Sequence, residues 1–369
     1  MRTKAGIALL CIVIGVVVIF SFLNRNKPQP GNSGIPGGGD FAQGEPISLK
    51  GYVGGEKVNL LQDPDIMRVL KEKYGLSLDA SKRGSIEMVE SDVAGQDFLW
   101  PSNDIALNLY KQKNPSASSD TILNSPIVIY SWDKVTEALI KQGIVKLENK
   151  TYYVVDFKKL ITLINKEASW QSLGLPQLHG KALIYSTDPG KSSSGNLFAA
   201  LLANSLTDDD PGNASKLKTA LPEIKRFFDK QGLMKESSKD LFDEFLSRGM
   251  GNKQLIIGYE AQLIEYNQEN PDGMKSRQNV VQTLYPRPTV WSAHPLIPLT
   301  PNAKRLASAL QSSQIQEIAW RKHGFRSGSG TNNDLKAINS SGVPATIDNI
   351  VQIPSSSVMK QVQNAIDGK

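Results

Sequence analysis

Residues 125–145 read SPIVIYSWDKVTEALIKQGIV, and two hydrophobic periods meet inside them. Residues 126–130 (PIVIY) are a short, strongly apolar run, the pattern of a strand buried on both faces. Val135, Ala138, Leu139 and Ile140 then recur at helical spacing, and Gly143 supplies a stop. A buried strand feeding directly into an amphipathic helix is the repeating unit of α/β layers.

The same alternation extends outward in both directions. Upstream, residues 47–53 alternate as a strand and end at Gly54-Gly55. Asp63 is placed to cap a helix that Pro64 opens, with Ile66, Met67, Leu70 and Tyr74 on its apolar face and Gly75 as its stop. Residues 76–80 alternate again. Gly84-Ser85 opens a second helix over 86–89, residues 97–100 make a short strand, and Ile105, Ala106, Leu109 and Tyr110 return to helical spacing. Downstream, the pattern predicts helices over 157–164, 197–203, 217–231, 261–267, 305–310 and 314–323. It predicts strands over 182–185 (ALIY), 255–258 (LIIG) and 280–285.

The chain has 369 residues, enough for two or three domains at ~150 residues each. Hydrophobic residues make up 40% and charged residues 21%, which excludes wholesale disorder. A single cysteine, Cys11, excludes a disulfide framework and a cysteine-based zinc site, and three histidines leave little for a histidine-rich metal centre. The net charge of +6 includes Arg2, Lys4, Arg25 and Lys27 near the N-terminus; without them the chain is near neutral and offers no footprint for nucleic acid.

Residues 5–23 (AGIALLCIVIGVVVIFSFL) carry no charge and approach the length that spans a bilayer. The run exceeds a usual signal-peptide core and lacks a small-residue cleavage site, so it reads as an uncleaved transmembrane signal anchor with residues 1–4 cytoplasmic. Residues 24–45, rich in Gly, Pro, Asn and Ser, read as a flexible tether holding the remainder outside the cytoplasmic membrane.

Several strand ends carry small polar clusters that open a helix. The richest is residues 187–196, TDPGKSSSGN, between ALIY and LFAALLAN. A helix start has unpaired N–H groups and a partial positive charge, serines add donors, and glycine admits a ligand to the backbone. Such a turn can hold an anionic or carbonyl-bearing group without metal, although ordinary serine capping is the better explanation of any single instance. The repetition argues for more. Gly54-Gly55-Glu56-Lys57, Gly84-Ser85, Ser102-Asn103, Asn124-Ser125 and Tyr259-Glu260 sit at comparable places, and ligands in open α/β sheets bind beyond the carboxyl ends of strands.

No catalytic constellation stands beside these clusters. Ser194 lies in S-S-S-G-N rather than a G-x-S-x-G elbow, and neither a G-x-x-x-x-G-K-[ST] loop nor H-E-x-x-H occurs. Asp208-Asp209-Asp210 reads as a solvated loop. His294, in Ser-Ala-His-Pro, reads as a hydrogen-bonded structural residue that could also touch a ligand, and Trp100, Trp132 and Trp320 read as core.

Four stretches together resemble the type II periplasmic solute-binding proteins of the molybdate- and sulfate-binding class. These are residues 63–88, with K-Y-G-L followed by R-G-S-I-E-M; the opening stretch 125–145; residues 187–202; and residues 285–326, with YPRPTVWSAHPLIPLT followed by IQEIAWRKHGFR. The resemblance implies a two-lobed fold with two crossover hinge strands, preceded here by the transmembrane helix. Lobe 1 would comprise 46–133 and 286–350, lobe 2 residues 134–285, and 351–369 a C-terminal extension. By position it implies Ser85, Ser102 and Ser125 on the first lobe's face and Ser193, Ser194, Asn196 and Tyr259 on the second's; Gly55, Gly84, Asn103, Thr187 and Glu260 of the strand-end clusters complete the expected ligand site, with no metal and no cofactor. The implied function is capture of a small polar solute, an oxyanion or other small molecule, for a membrane transporter or a sensor. Two departures stand out: the retained anchor, and Glu260, whose carboxylate would oppose a bare oxyanion unless it points away. The alternative from a different class is an envelope serine hydrolase using Ser194 or Ser85, for which His294 is the one serious base.

Overall fold

In a computed structural model the chain is described over residues 46–273, 280–330 and 333–369. Ten strands are present among the described residues: β1 (Ile47–Val53), β2 (Leu76–Lys82), β3 (Phe98–Trp100), β4 (Asp120–Trp132), β5 (Val145–Glu148), β6 (Tyr152–Asp156), β7 (Leu255–Tyr259), β8 (Val281–Arg287), β9 (Trp291–Pro298) and β10 (Arg326–Ser327). They pair in the order β2-β1-β3-β9-β4-β8-β6-β5, with β7 and β10 also pairing with β4.

The long strand β4 organises the molecule by changing partners midway. From Asp120 to Pro126 it runs antiparallel to β9, and from Ile127 to Trp132 it runs antiparallel to β7 and β8. The chain returns along β8, through a cis peptide between Arg287 and Pro288, into β9. Two extended connections therefore run between the two halves of the sheet.

Each half has its own apolar interior. Leu49, Val53, Ile66, Leu70, Phe98, Trp100, Leu306 and Ile318 belong to one cluster around β1–β3 and β9. Ile127, Ile129, Val135, Leu139, Phe157, Phe198, Phe227 and Ile257 belong to a larger one around the second half of β4. The helix Pro64–Tyr74 forms as the sequence dictates. Asp63 Oδ1 accepts from the amides of Asp65 and Ile66, Pro64 opens the first turn, and Gly75 ends it in the left-handed conformation at φ 61°.

Some expectations are corrected. Residues 182–185 are not a strand. Tyr185 makes one isolated bridge to Ile256, and Thr187 another to Lys235, so this segment approaches the sheet edge without joining it. The helix expected over 197–203 begins earlier, at Ser193, and runs to Leu206, so its serines lie inside its first turn. The hairpin β5–β6 and the helices Ser238–Arg248 and Ser356–Asp367 carry no sequence expectation; the last lays Val358, Met359 and Val362 into the larger cluster, beside the helix Ala214–Asp229. Asp208 and Asp210 of the acidic triplet pair with Lys158 and Lys216. The apolar segment 5–23 and the linker lie outside the described residues, and no helix among the described residues is long and apolar enough to cross a membrane.

Candidate functional site

The loop before the helix Ser193–Leu206 is tightly wound. The Asp188 carbonyl accepts from the amides of Lys191 and Ser192 at 3.2 and 2.8 Å, and the Asp188 carboxylate accepts from the Gly190 amide at 2.8 Å. A Cβ on Gly195 would lie 2.2 Å from the Thr187 carbonyl oxygen, so only glycine lets the helix start lie this close to the loop. Thr187 Oγ1 and Ser194 Oγ share a hydrogen bond of 2.7 Å, and Ser192 Oγ lies 3.2 Å from Ser194 Oγ. The amides of Ser193, Ser194 and Gly195 occupy the first turn, where no intrahelical acceptor exists.

Facing this loop is the turn between β2 and the short helix Ser85–Glu90. Ser193 Oγ donates to Ser85 Oγ at 2.7 Å, and Ser85 Oγ also accepts from the Ser102 amide at 2.9 Å. The approach is close: a Cβ on Gly84 would meet the Lys191 carbonyl oxygen at 2.6 Å. Residues far apart in sequence thus meet across one narrow gap.

At the floor of the gap stands Tyr259, the last residue of β7. It is 1% exposed, yet its hydroxyl has no hydrogen-bond partner. The hydroxyls of Ser193, Ser194 and Ser292 lie around it, and burial, reinforced by the nearby Glu56 carboxylate, holds the phenol well above its ordinary pKa. A buried donor without an acceptor costs about 1–3 kcal/mol, so this one marks a place where a guest atom would be welcome.

Behind the floor lies a charged network whose members the sequence shows singly but does not join. Lys57, fully buried, donates to Glu56 at 2.5 Å and to Ser102 Oγ at 2.8 Å, and lies 3.0 Å from His294 Nδ1. Ser102 Oγ also donates to the Glu56 carboxylate. His294 Nε2 lies 3.2 Å from Ser292 Oγ, which donates to the Ser102 carbonyl at 2.6 Å. Burial and the Lys57 ammonium push His294 down to about 4, so it is neutral at pH 7. Burial alone would raise Glu56, but Lys57 and His294 outweigh it and hold the carboxyl well below its usual range. Gly54-Gly55-Glu56-Lys57 is visible in the sequence as a polar junction; its partner His294 is too distant in the chain for any local pattern to connect them.

The remaining expected residues divide by what they touch. Gly55, Gly84, Ser85, Ser193 and Tyr259 line the gap. Thr187, Ser194 and Asn196 build the loop, the last by donating from Nδ2 to the Pro189 carbonyl at 3.3 Å while its buried Oδ1 has no partner. Asn103 Oδ1 is spent capping the helix Asp104–Lys113 at the Ala106 amide, leaving Nδ2 buried without an acceptor. Ser125 Oγ accepts from the Ala261 amide at 3.3 Å. Glu260 is engaged elsewhere: Arg326 donates to both its oxygens at 2.6 and 2.8 Å, and Tyr285 adds a third bond at 2.7 Å. Its charge is neutralised inside the protein and does not oppose an anion in the gap.

Two small cavities occupy the gap, of about 60 and 50 Å³, sharing Gly55, Glu56 and Tyr259. Neither serine of the hydrolase alternative has a base beside it: Ser194 is bonded to Thr187 and Ser192, and Ser85 to Ser193 and Ser102. His294 instead pairs with Ser292, 3.2 Å from Nε2, while its Nδ1 lies 3.0 Å from Lys57 and 3.4 Å from Glu56. That serine and histidine are fully buried, and the Ser292 hydroxyl is spent on the Ser102 carbonyl.

The sequence matches no family model and no curated protein. Solved structures do match. The sulfate-binding protein SubI from Mycobacterium tuberculosis aligns with a TM-score of 0.52 at 14% identity, over 80% of this chain and 89% of its own. The periplasmic binding protein AfuA from Actinobacillus pleuropneumoniae, with fructose-6-phosphate bound, gives 0.55 at 15% identity over 87% and 97%. A periplasmic thiamin-binding protein gives 0.57 at 11% identity over 90% and 99%. The chain has the type II periplasmic solute-binding-protein fold. At these identities the likeness speaks for the fold, and the guest must be argued from the residues in the gap.

Proposed function

We propose that this chain is a solute-binding module that captures a small polar molecule between two lobes and presents it to a membrane transporter or a sensor. The observation that carries the reading is the Tyr259 hydroxyl, buried without a partner among Ser193, Ser194 and Ser292 at the floor of a gap that Ser85 and Ser193 bridge. The structurally similar proteins bind sulfate, a sugar phosphate and thiamin, all small polar solutes, which supports the same role here.

In this reading residues 46–133 and 286–350 form one lobe and 134–285 the other, with 351–369 packed on the second. The exchange of partners along β4 and the separate apolar clusters on its two halves support two lobes, with residues 127–132 of the hinge strand packing into the second lobe's interior. Closure is a hinge motion on β4 and the β8–β9 return, driven by contacts made only when both lobes hold the guest. Residues 5–23 anchor the module, and 24–45 tether it on the outer face of the cytoplasmic membrane.

Native mass spectrometry of freshly purified protein is expected to show a co-purifying small molecule. A bound solute at a hundred times its Kd adds ~2.7 kcal/mol of stability, a readily measured rise in melting temperature. Replacing Ser193 and Ser194 with alanine should abolish the rise given by sulfate, phosphate or the co-purifying solute. Retention of the full rise in the double variant would show that the guest sits elsewhere.

A further inference from the structure

We propose that the acidic, aromatic end of the gap receives an organic ammonium group, so that the captured solute is bipolar, with its anionic or oxygen-rich end held by the serines. The inference rests on the solute-binding reading and specifies its ligand class.

The two cavities differ in chemistry. The one beside the serine loop is bordered by Lys82, Arg83 and Lys191, with Ser85, Ser193 and Ser237 between them. Lys191 pairs with Glu236 and Arg83 with Glu87, whereas Lys82 has only a 3.5 Å contact to Ser237 Oγ. The other is bordered by Asp243, Glu265 and Glu269, against Lys239 and His323; Glu56 borders both cavities and is matched by buried Lys57. Lys239 is held by Asp243 at 2.8 Å, and His323 Nδ1 lies 2.6 Å from Glu265. Glu269, at the exposed rim, has no ion pair among the described residues, and partial desolvation with the nearby Glu265 raises its pKa against the weaker opposing pull of His323 and Lys239. Negative charge is therefore in surplus at this end and positive charge at the other.

The wall of the acidic end is aromatic. Phe242 and Tyr266 meet edge to face with centroids 6.3 Å apart, and Tyr259 and Phe325 complete it. Tyr259, whose hydroxyl is buried without a partner, lines both cavities. Carboxylates accept from an ammonium, and aromatic faces attract its charge while covering its carbon neighbours. A bare metal ion suits the place less well, since no group of three or more ligating side chains among the described residues could hold one.

The test compares 2-aminoethyl phosphate with n-propyl phosphate, which match in length and differ in an ammonium against a methyl group. By calorimetric titration at low ionic strength, 2-aminoethyl phosphate is expected to bind about tenfold tighter. Glu269→Gln, at an exposed position, should bring that ratio toward one without unfolding the chain. Equal binding of the two, or a ratio unchanged in Glu269→Gln, overturns the inference while leaving solute capture standing. Binding of inorganic phosphate with neither longer probe also overturns it. Failure of all three, together with no co-purifying solute, overturns the reading beneath it as well.

Discussion

Replacing Gly84 with alanine tests closure without touching the rest of the fold. Gly84 has φ −60° and ψ 143°, an extended conformation open to any residue, so alanine brings no backbone strain. Its Cβ, however, would stand 2.6 Å from the Lys191 carbonyl oxygen across the gap, where ordinary contact begins at 3.4 Å. Backbone faces backbone there, so neither side can rotate out of the way. The gap must widen by about 0.8 Å, which stretches the 2.7 Å bond between Ser193 and Ser85 beyond the useful range of hydroxyl pairs. Loss of one such bond costs about 0.5–1.5 kcal/mol, or roughly two- to tenfold in affinity, before any weakening of contacts to the guest. In the open, ligand-free state of the hinge reading the two backbones stand apart, so the ligand-free melting curve should move by no more than ~0.5 kcal/mol. Titration of the co-purifying solute into wild type and Gly84→Ala, beside ligand-free melts, gives both numbers. Unchanged affinity would refute the closed gap as the binding state, and a collapsed melt would refute the claim that Gly84 serves closure alone.

Acid should weaken the fold through His294. Its pKa is depressed to about 4, against 6.5 ordinarily, so the unfolded chain binds the proton first; stability is full above pH 6.5 and falls as the pH drops toward 4, by up to about 3 kcal/mol. Glu56, also depressed, adds a further loss below the ordinary glutamate range. Urea titrations from pH 7 to 4 should show that slope in wild type and a flatter one in His294→Asn; equal slopes would remove His294 as the cause. Arg326→Met should destabilise by about 3–5 kcal/mol by stranding buried Glu260, and adding Glu260→Gln should recover most of it; a double variant as unstable as the single would mean that Arg326 acts through its bonds to the Pro344 and Ala345 carbonyls.

The layered architecture was legible because its signals are local. Asp63, Pro64 and Gly75 bracket one helix within a dozen positions, and the apolar run after Ser125 lies in β4, where burial on both faces selects such a run. Residues 182–185 misled because an apolar run reports burial rather than pairing, and this one lies against the sheet with only an isolated bridge. The serine loop was visible because glycine and serine concentrate there for close approach and hydrogen bonding. The Lys57–His294 network and the Glu260–Arg326 pair were not, since each joins residues brought together only by the return of the chain. Glu260 shows the cost of reading a charge without its partner: the sequence displays the carboxylate, and the fold supplies the guanidinium that silences it.

The placement of the helix Ser356–Asp367 bears on how the molecule is made. Chains emerge from the ribosome N-terminus first, at roughly 5–20 residues per second. Val358, Met359 and Val362 fill a seat against the helix Ala214–Asp229, so one half of the protein keeps an oily face bare until the chain has been made past Val362. Until that helix arrives, the larger cluster lacks part of its cover, so the half built first cannot close its interior on its own.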